Sequence, residues 1–147
     1  MRQLNAQYFR FMDTKNWMLW HTVFANDVVG TFDNAVPVGV DDAPASQTWD
    51  GAESLVSSIR ATIGECITVH HGHTPEVSLT SATSATGIWA IADIVEFPSG
   101  HVLHGAGHYL QTYTRIDGNC HIQSIHLTRT RMTFSSAADP AHRRVAG

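Results

Sequence analysis

An α+β fold, with helices on one face of a curved antiparallel sheet, is predicted by three features of this sequence. Helical periodicity is confined to the first 64 residues. Four long segments rich in β-branched and aromatic residues follow, at 66–80, 85–97, 101–115 and 120–134. Between them lie "SATS", "PSG" and "DGN", the short turn signals of antiparallel hairpins. Helices first and a strand meander afterwards is the order of an α+β domain. A strongly curved sheet packed by helices leaves a hollow between the layers, and such a hollow suits a small apolar ligand.

Each element has a local reason. Leu4, Tyr8, Phe11 and Met12 fall at i, i+4, i+7 and i+8, one face of an amphipathic helix over 3–12. Asp13 stands where a second helix could begin, as N-cap for "TKNWMLWHTVF", in which Trp17, Trp20 and Phe24 line one side. "VVGTFD" at 28–33 reads as a short strand. From 34 to 48 Pro, Gly, Asp and Ser collect in one long loop. Asp50 and Glu53 have the spacing of a capping box. They open a third helix whose Leu55, Val56, Ile59 and Ile63 form a stripe and which Gly64 closes. The tail at 135–147 has no periodicity and is expected to be mobile.

A chain of 147 residues favours one compact domain. Charged residues make up 15%, and the formal net charge is −4. No basic cluster longer than "HRR" at 142–144 occurs, so a nucleic-acid partner is not expected. No apolar run approaches the roughly 20 residues of a membrane span, and the N-terminus lacks the apolar core of a signal peptide. Cys66 and Cys120 form no CxxC pair. Neither a disulfide framework nor a zinc-thiolate site is indicated, and the default location is cytoplasmic.

Alternation along strands sorts the candidate chemistry into faces. Trp89, Ile91, Asp93, Val95 and Phe97 share one, which makes Asp93 a carboxylate in an otherwise apolar row. Such a group is a structural acid bonded to backbone or Arg, or part of a site. Gly105, Gly107, Tyr109 and Tyr113 share a face, with His104 and His108 opposite. The two glycines bend the sheet, make room in the hollow, or both. Leu127, Arg129 and Arg131 share a face, and an inward arginine would find Asp93 or an anionic substrate group. In "ITVHHGHTPEV" at 67–77, His70 and Gly72 lie on one face and His71 and His73 on the other, which is awkward geometry for a three-histidine metal site. With Thr68 and His70 facing the hollow, His70 becomes a possible general base, for which Asp13 could supply the orienting carboxylate.

The segments "YFRFMDTKNW" at 8–17, "TVHHGHTPEV" at 68–77, "ATGIWAIADIVEFPSG" at 85–100, "GHYLQTYTRIDG" at 107–118 and the closing "SIHLTRTRM" carry a resemblance. The chain resembles a SnoaL-like domain of the nuclear transport factor 2-like superfamily, and within it the scytalone dehydratase and bile-acid 7α-dehydratase group. The resemblance implies a cone-shaped partial barrel around an apolar pocket, over residues 1–134, with 34–48 as a loop insertion. It also implies a general base on the strand after the third helix, an aspartate that orients it and a tyrosine five residues earlier. These fall on His70, Asp13 and Tyr8. A second aspartate, 23 residues after the histidine, falls on Asp93, and an arginine of the last strand on Arg129, with Arg131 as rival. The second catalytic histidine of scytalone dehydratases has no match in "IWAIAD".

The activity implied by the resemblance is that of a cofactor-independent dehydratase, or another lyase or isomerase, that needs no metal. Trp17, Trp89 and Tyr109 are read as the aromatic lining beside Arg129, suited to a flat apolar substrate of steroid or polyketide size. Cyclase and hydrolase chemistry are open to the same scaffold. The alternative is a non-catalytic small-molecule-binding or dimerisation module. The resemblance also implies a homo-oligomer, dimer or trimer, packed through the outer sheet face.

Overall fold

The structure, a computed structural model, describes residues 1–33 and 46–136. The element order is α1 (Arg2–Asp13), α2 (Trp17–His21), β1 (Phe24–Asp33), β2 (Ser46–Asp50), α3 (Ala52–Ile63), β3 (Ile67–Gly72), β4 (Glu76–Leu79), β5 (Ser84–Glu96), β6 (Val102–Ile116) and β7 (Asn119–Ser135). The strands form one seven-stranded sheet in the order β2-β1-β7-β6-β5-β3, with β4 also paired to β5. The sheet is open. Every pairing is antiparallel except β1 with β7, which is parallel. No helix among the described residues is long and apolar enough to cross a membrane.

The predicted α+β architecture is what forms, and the helices lie on the inner face. α1 packs on edge strand β3, while α3 packs on β1 and β2 near the other edge. Tyr8 of α1 meets Tyr109 of central β6 at 5.5 Å between ring centroids. Helices reaching both edges and the centre of one face require a sheet that wraps around them. Tyr8, Trp20 and Phe24 stack into an aromatic cluster, with Tyr8 and Trp20 fully buried. Each such ring pair adds about 0.5–1.5 kcal/mol beyond area burial.

Several local expectations are corrected. The second helix is one turn and a half, not 14–24, because Val23 accepts the Ile122 N–H and draws the chain into β1 beside β7. Its N-cap is Asn16, whose side chain accepts from the Leu19 N–H at 3.2 Å, so Asp13 is freed from capping. The Asp50–Glu53 capping box does not form. Asp50 is held in the β2 ladder opposite Val29, and Gly51, at φ 87, is the N-cap of α3. Of the expected 34–48 loop, residues 46–48 belong to β2, and 34–45 lie outside the described residues. Residues 137–147 of the expected tail also lie outside them. The expected strand 66–80 is broken at 73–75, where Pro75 cannot donate to a ladder, and both halves run along the same edge of β5.

The hairpin turns follow the sequence signals. Asp117 and Gly118 both take positive φ, 49° and 81°, the two-residue turn whose twist matches the flanking strands. Cys66 and Cys120 are free. The β6–β7 register slips between Ala106 and Gly107. There a Cβ on Gly107 would run into the Thr128 carbonyl, so two backbones approach to a distance only glycine permits. Gly107→Ala is therefore expected to lose about 1–3 kcal/mol. The check is a lower urea midpoint at unchanged slope.

Candidate active site

Three strands and one helix end bring the charged residues together. Alternation along β5 turns Asp93 inward with Trp89, Ile91 and Val95, all buried, as the sequence predicts. Alternation along β3 turns Thr68 and His70 inward and leaves His71 exposed, with His73 exposed just beyond the strand. On β7 the rule fails. The register passes from Arg129 opposite Gly107 to Arg131 opposite Ala106, leaving Thr130 as a bulge. Arg129 points inward and Arg131 is exposed, so the two do not share a face.

His70 is clamped on one side. Its Nδ1 lies 2.6 Å from Asp13 Oδ1, and its backbone N–H donates to Asp13 Oδ2 at 2.8 Å. The Thr68 hydroxyl donates to Asp13 Oδ1 at 2.9 Å and accepts from Lys15 Nζ at 2.7 Å. Burial pushes the Asp13 carboxyl up, but the bonds and charge from His70, with the Thr68 hydroxyl, outweigh it and hold it below the usual range. An ionised carboxylate can only accept, so Nδ1 carries a ring proton, and in the neutral imidazole Nε2 then presents its lone pair. Phe9 stacks on the imidazole, ring centroids 6.4 Å apart. Nε2 sits 4.0 Å from Asp93 Oδ2, beyond hydrogen-bond range.

Asp93 is held from the other side by a fork. Arg129 Nη1 and Nη2 donate to its two oxygens at 2.6 and 2.9 Å. Burial disfavours the guanidinium charge, but the Asp93 bonds more than compensate and raise its affinity for the proton. A Cβ on Gly105 would fall on the Asp93 carboxylate and the Arg129 guanidinium, so this glycine makes the room for the ion pair. Arg129 Nε is buried without a partner among the described residues. The Tyr8 hydroxyl donates to the Tyr109 hydroxyl at 3.4 Å, and both are buried. Burial, then the neighbouring Tyr109, hold the Tyr8 phenol well above its ordinary value. Burial also pushes Tyr109 up to about 12, against the Tyr8 bond.

These groups line one cavity of about 80 Å³. Its wall includes His70, Asp93, Arg129, Tyr8 and Tyr109, with Asp13 behind His70. Met12, Phe32, Trp49, Ile59, Ile63, Phe97 and Leu127 supply apolar surface. Of these, Ile59 and Ile63 were visible as the α3 stripe and Phe97 on the β5 row, while Trp49 lay just past the segment read as loop. Two residues expected to line the site do not. Trp89 lies on the wall of a separate cleft, its Nε1 donating to Tyr113 at 2.8 Å, and Trp17 packs on Trp20 beside an outer groove. The cavity bounded by the described residues is smaller than the roughly 300–1,000 Å³ of sites for drug-sized ligands. Among the described residues no group of three or more His, Cys, Asp or Glu is placed to hold a metal ion.

The SnoaL-like domain model matches residues 1–126, and the chain belongs to that family. The fold is shared by a type 2 hexachlorocyclohexane dehydrochlorinase at 16% identity and TM-score 0.75, covering 95% of this chain and 90% of that one. It is also shared by the type 3 dehydrochlorinase of Novosphingobium barchaimii LL02 at 15% and 0.76, covering 92% and 88%. A candidate scytalone dehydratase of Novosphingobium aromaticivorans DSM 12444 matches at 16% and 0.73, covering 90% and 83%.

Two stability measurements check the electrostatics. Arg129→Met leaves a buried unpaired carboxylate and is expected to cost about 3–5 kcal/mol, part of which Asp93→Asn in the same chain recovers. Asp13 has a lowered folded-state pKa, so its contribution is full above the unfolded value of about 3.9 and fades as pH falls through the folded value. The gap in urea midpoint between wild type and Asp13→Asn should therefore hold from neutrality to about pH 5 and narrow below pH 4.

Proposed function

We propose that this protein is a cofactor-independent lyase in which His70 removes a carbon-bound proton and the substrate expels a leaving group from the adjacent carbon. The observation that carries the reading is the asymmetry of His70: Nδ1 is committed to Asp13, while Nε2 faces the cavity with no hydrogen-bond partner in reach among the described residues. A base needs that arrangement, with an orienter behind and an open lone pair in front. Its charge also supports the role. Asp13 and Asp93 both approach the imidazole, so the imidazolium formed on proton uptake lies between two carboxylates, one already balanced by Arg129.

In the proposed step the C–H pair becomes the new double bond, the proton passes to Nε2 and the bond to the leaving group breaks. The leaving group departs with its electron pair into a cavity whose wall includes Arg129. Tyr8 and Tyr109 stay protonated and act as hydrogen-bond donors. Asp93, forked by arginine, balances charge and does not supply a proton. Hydroxide leaving as water makes the enzyme a dehydratase, and halide makes it a dehydrohalogenase, the chemistry named for two structural neighbours. The cavity bounded by the described residues has room for a compact ring, which guides the choice of test substrates.

The test is turnover of single-ring alcohols and halides that carry an acidified C–H next to the leaving group, followed by water or halide release. Wild type should form the alkene, and His70→Ala and Asp13→Asn should lose about 10²–10⁴-fold with circular dichroism unchanged. Full activity in either variant would sink the assignment. A ligand that binds and is recovered unchanged would instead support the carrier reading.

A further inference from the structure

The Asp13 carboxylate that holds His70 is itself held from the side away from the cavity. Lys15 follows α1 by two residues at φ 59, the left-handed conformation in which helices most often place glycine. That turn carries the side chain back toward β3, where Nζ donates to Thr68 Oγ1 at 2.7 Å. An ammonium only donates, so it occupies a lone pair of the hydroxyl and leaves the hydroxyl proton to go elsewhere. The acceptor in place is Asp13 Oδ1 at 2.9 Å, the same oxygen that takes His70 Nδ1 at 2.6 Å. Ammonium, hydroxyl, carboxylate and imidazole thus form one line ending at the cavity, with the His70 backbone N–H as a branch on Asp13 Oδ2. Lys15 is half-buried, and that burial lowers its ammonium below the ordinary value against the pull of Asp13; its Nζ stands 5.8 Å from the Trp17 ring.

We propose that Lys15 is a positioning residue for the His70 base. Its ammonium orients the Thr68 hydroxyl onto Asp13, and the carboxylate so fixed keeps His70 in the Nδ1–H tautomer with Nε2 bare toward the cavity. The inference deepens the lyase reading, since it matters to turnover only if His70 is the base. A lysine that merely tied the α1–α2 turn to β3 would affect stability and leave the tautomer alone.

The experiment is nitrogen-15 NMR of histidine-labelled protein, with His70 neutral and no substrate present. Wild type should show a protonated Nδ1 and an unprotonated Nε2. Lys15→Met should convert this to a tautomer mixture and move the Asp13 carboxyl titration upward by about 0.5–1 unit, as a nearby positive charge is lost. Lys15→Arg, which keeps a charged donor, should restore both readings. Thr68→Val should give the same mixture, and Lys15→Met added to it should change the tautomer no further. An unchanged tautomer in folded Lys15→Met overturns the proposal, as does a further tautomer shift in the double variant, which would mean that Lys15 acts by another route. Where Lys15→Met does not fold, Thr68→Val alone decides, and an unchanged tautomer there is equally fatal. Because the readout needs no substrate, failure of the lyase assignment leaves this result standing, and failure here leaves that assignment to its own assay.

Discussion

The structure depends most on one carboxylate at the end of the first helix. Asp13 takes three hydrogen bonds, from the backbone and ring of His70 and from Thr68. The backbone bond is structural as much as chemical. β3 is an edge strand, paired with β5 on one side only among the described residues. An edge strand exposes unpaired N–H groups, and Asp13 answers one of them in place of a neighbouring strand. The contact that docks α1 on the sheet is therefore also the contact that sets the imidazole. Loosening either would loosen both.

The second constraint is the cost of burying Asp93. A carboxylate in an apolar row needs a partner with matched geometry, and a forked guanidinium supplies it. Two departures from regular sheet make the fork possible. Gly105 leaves the volume that the ion pair occupies, and the bulge at Thr130 turns Arg129 inward while sending Arg131 out. The glycines that bend the sheet and the glycine that makes room are thus part of one solution. Apolar substitution of the pair would satisfy folding. The pair places two mutually balanced charges beside His70.

How much of this was legible in the sequence depended on whether period alone decides the answer. Strand alternation separated His70 from His71 and His73, and put Asp93 inward, because nothing interrupts β3 or β5 at those residues. The same rule misplaced Arg131, since a bulge is one extra residue and leaves no mark in an alternating row. Asp13 was misread as a cap because Asn16, three residues later, is an equally good one, and only the tertiary contact with His70 separates them. The capping box at Asp50 gave way to β2, a strand lying beyond polar residues that read as loop. Trp17 and Trp89 are aromatic and partly or wholly buried, but which side of the helix layer they reach is set by packing. The Lys15–Thr68 contact left no mark in the sequence, since the two are separated by more than fifty residues and meet only through the turn after α1.

On the proposed reaction, the charge arrangement also decides where the proton goes after it leaves carbon. Asp93 is tied to Arg129 at both oxygens, so taking up and releasing a proton there would break a bidentate buried pair. The two phenols are pushed upward by burial, so they donate hydrogen bonds but part with protons reluctantly. Asp13 accepts from His70 and lies below the usual carboxylate range, which makes it a poor proton carrier near neutrality. Among the described residues, His70 Nε2 is left as the group at the cavity placed to take a proton and pass it on. The same nitrogen would then return the proton to a departing oxygen or pass it to water, with both carbon centres presented to one side of the cavity. A single base on one wall of the cavity favours elimination in which the proton and the leaving group depart from the same face of the substrate.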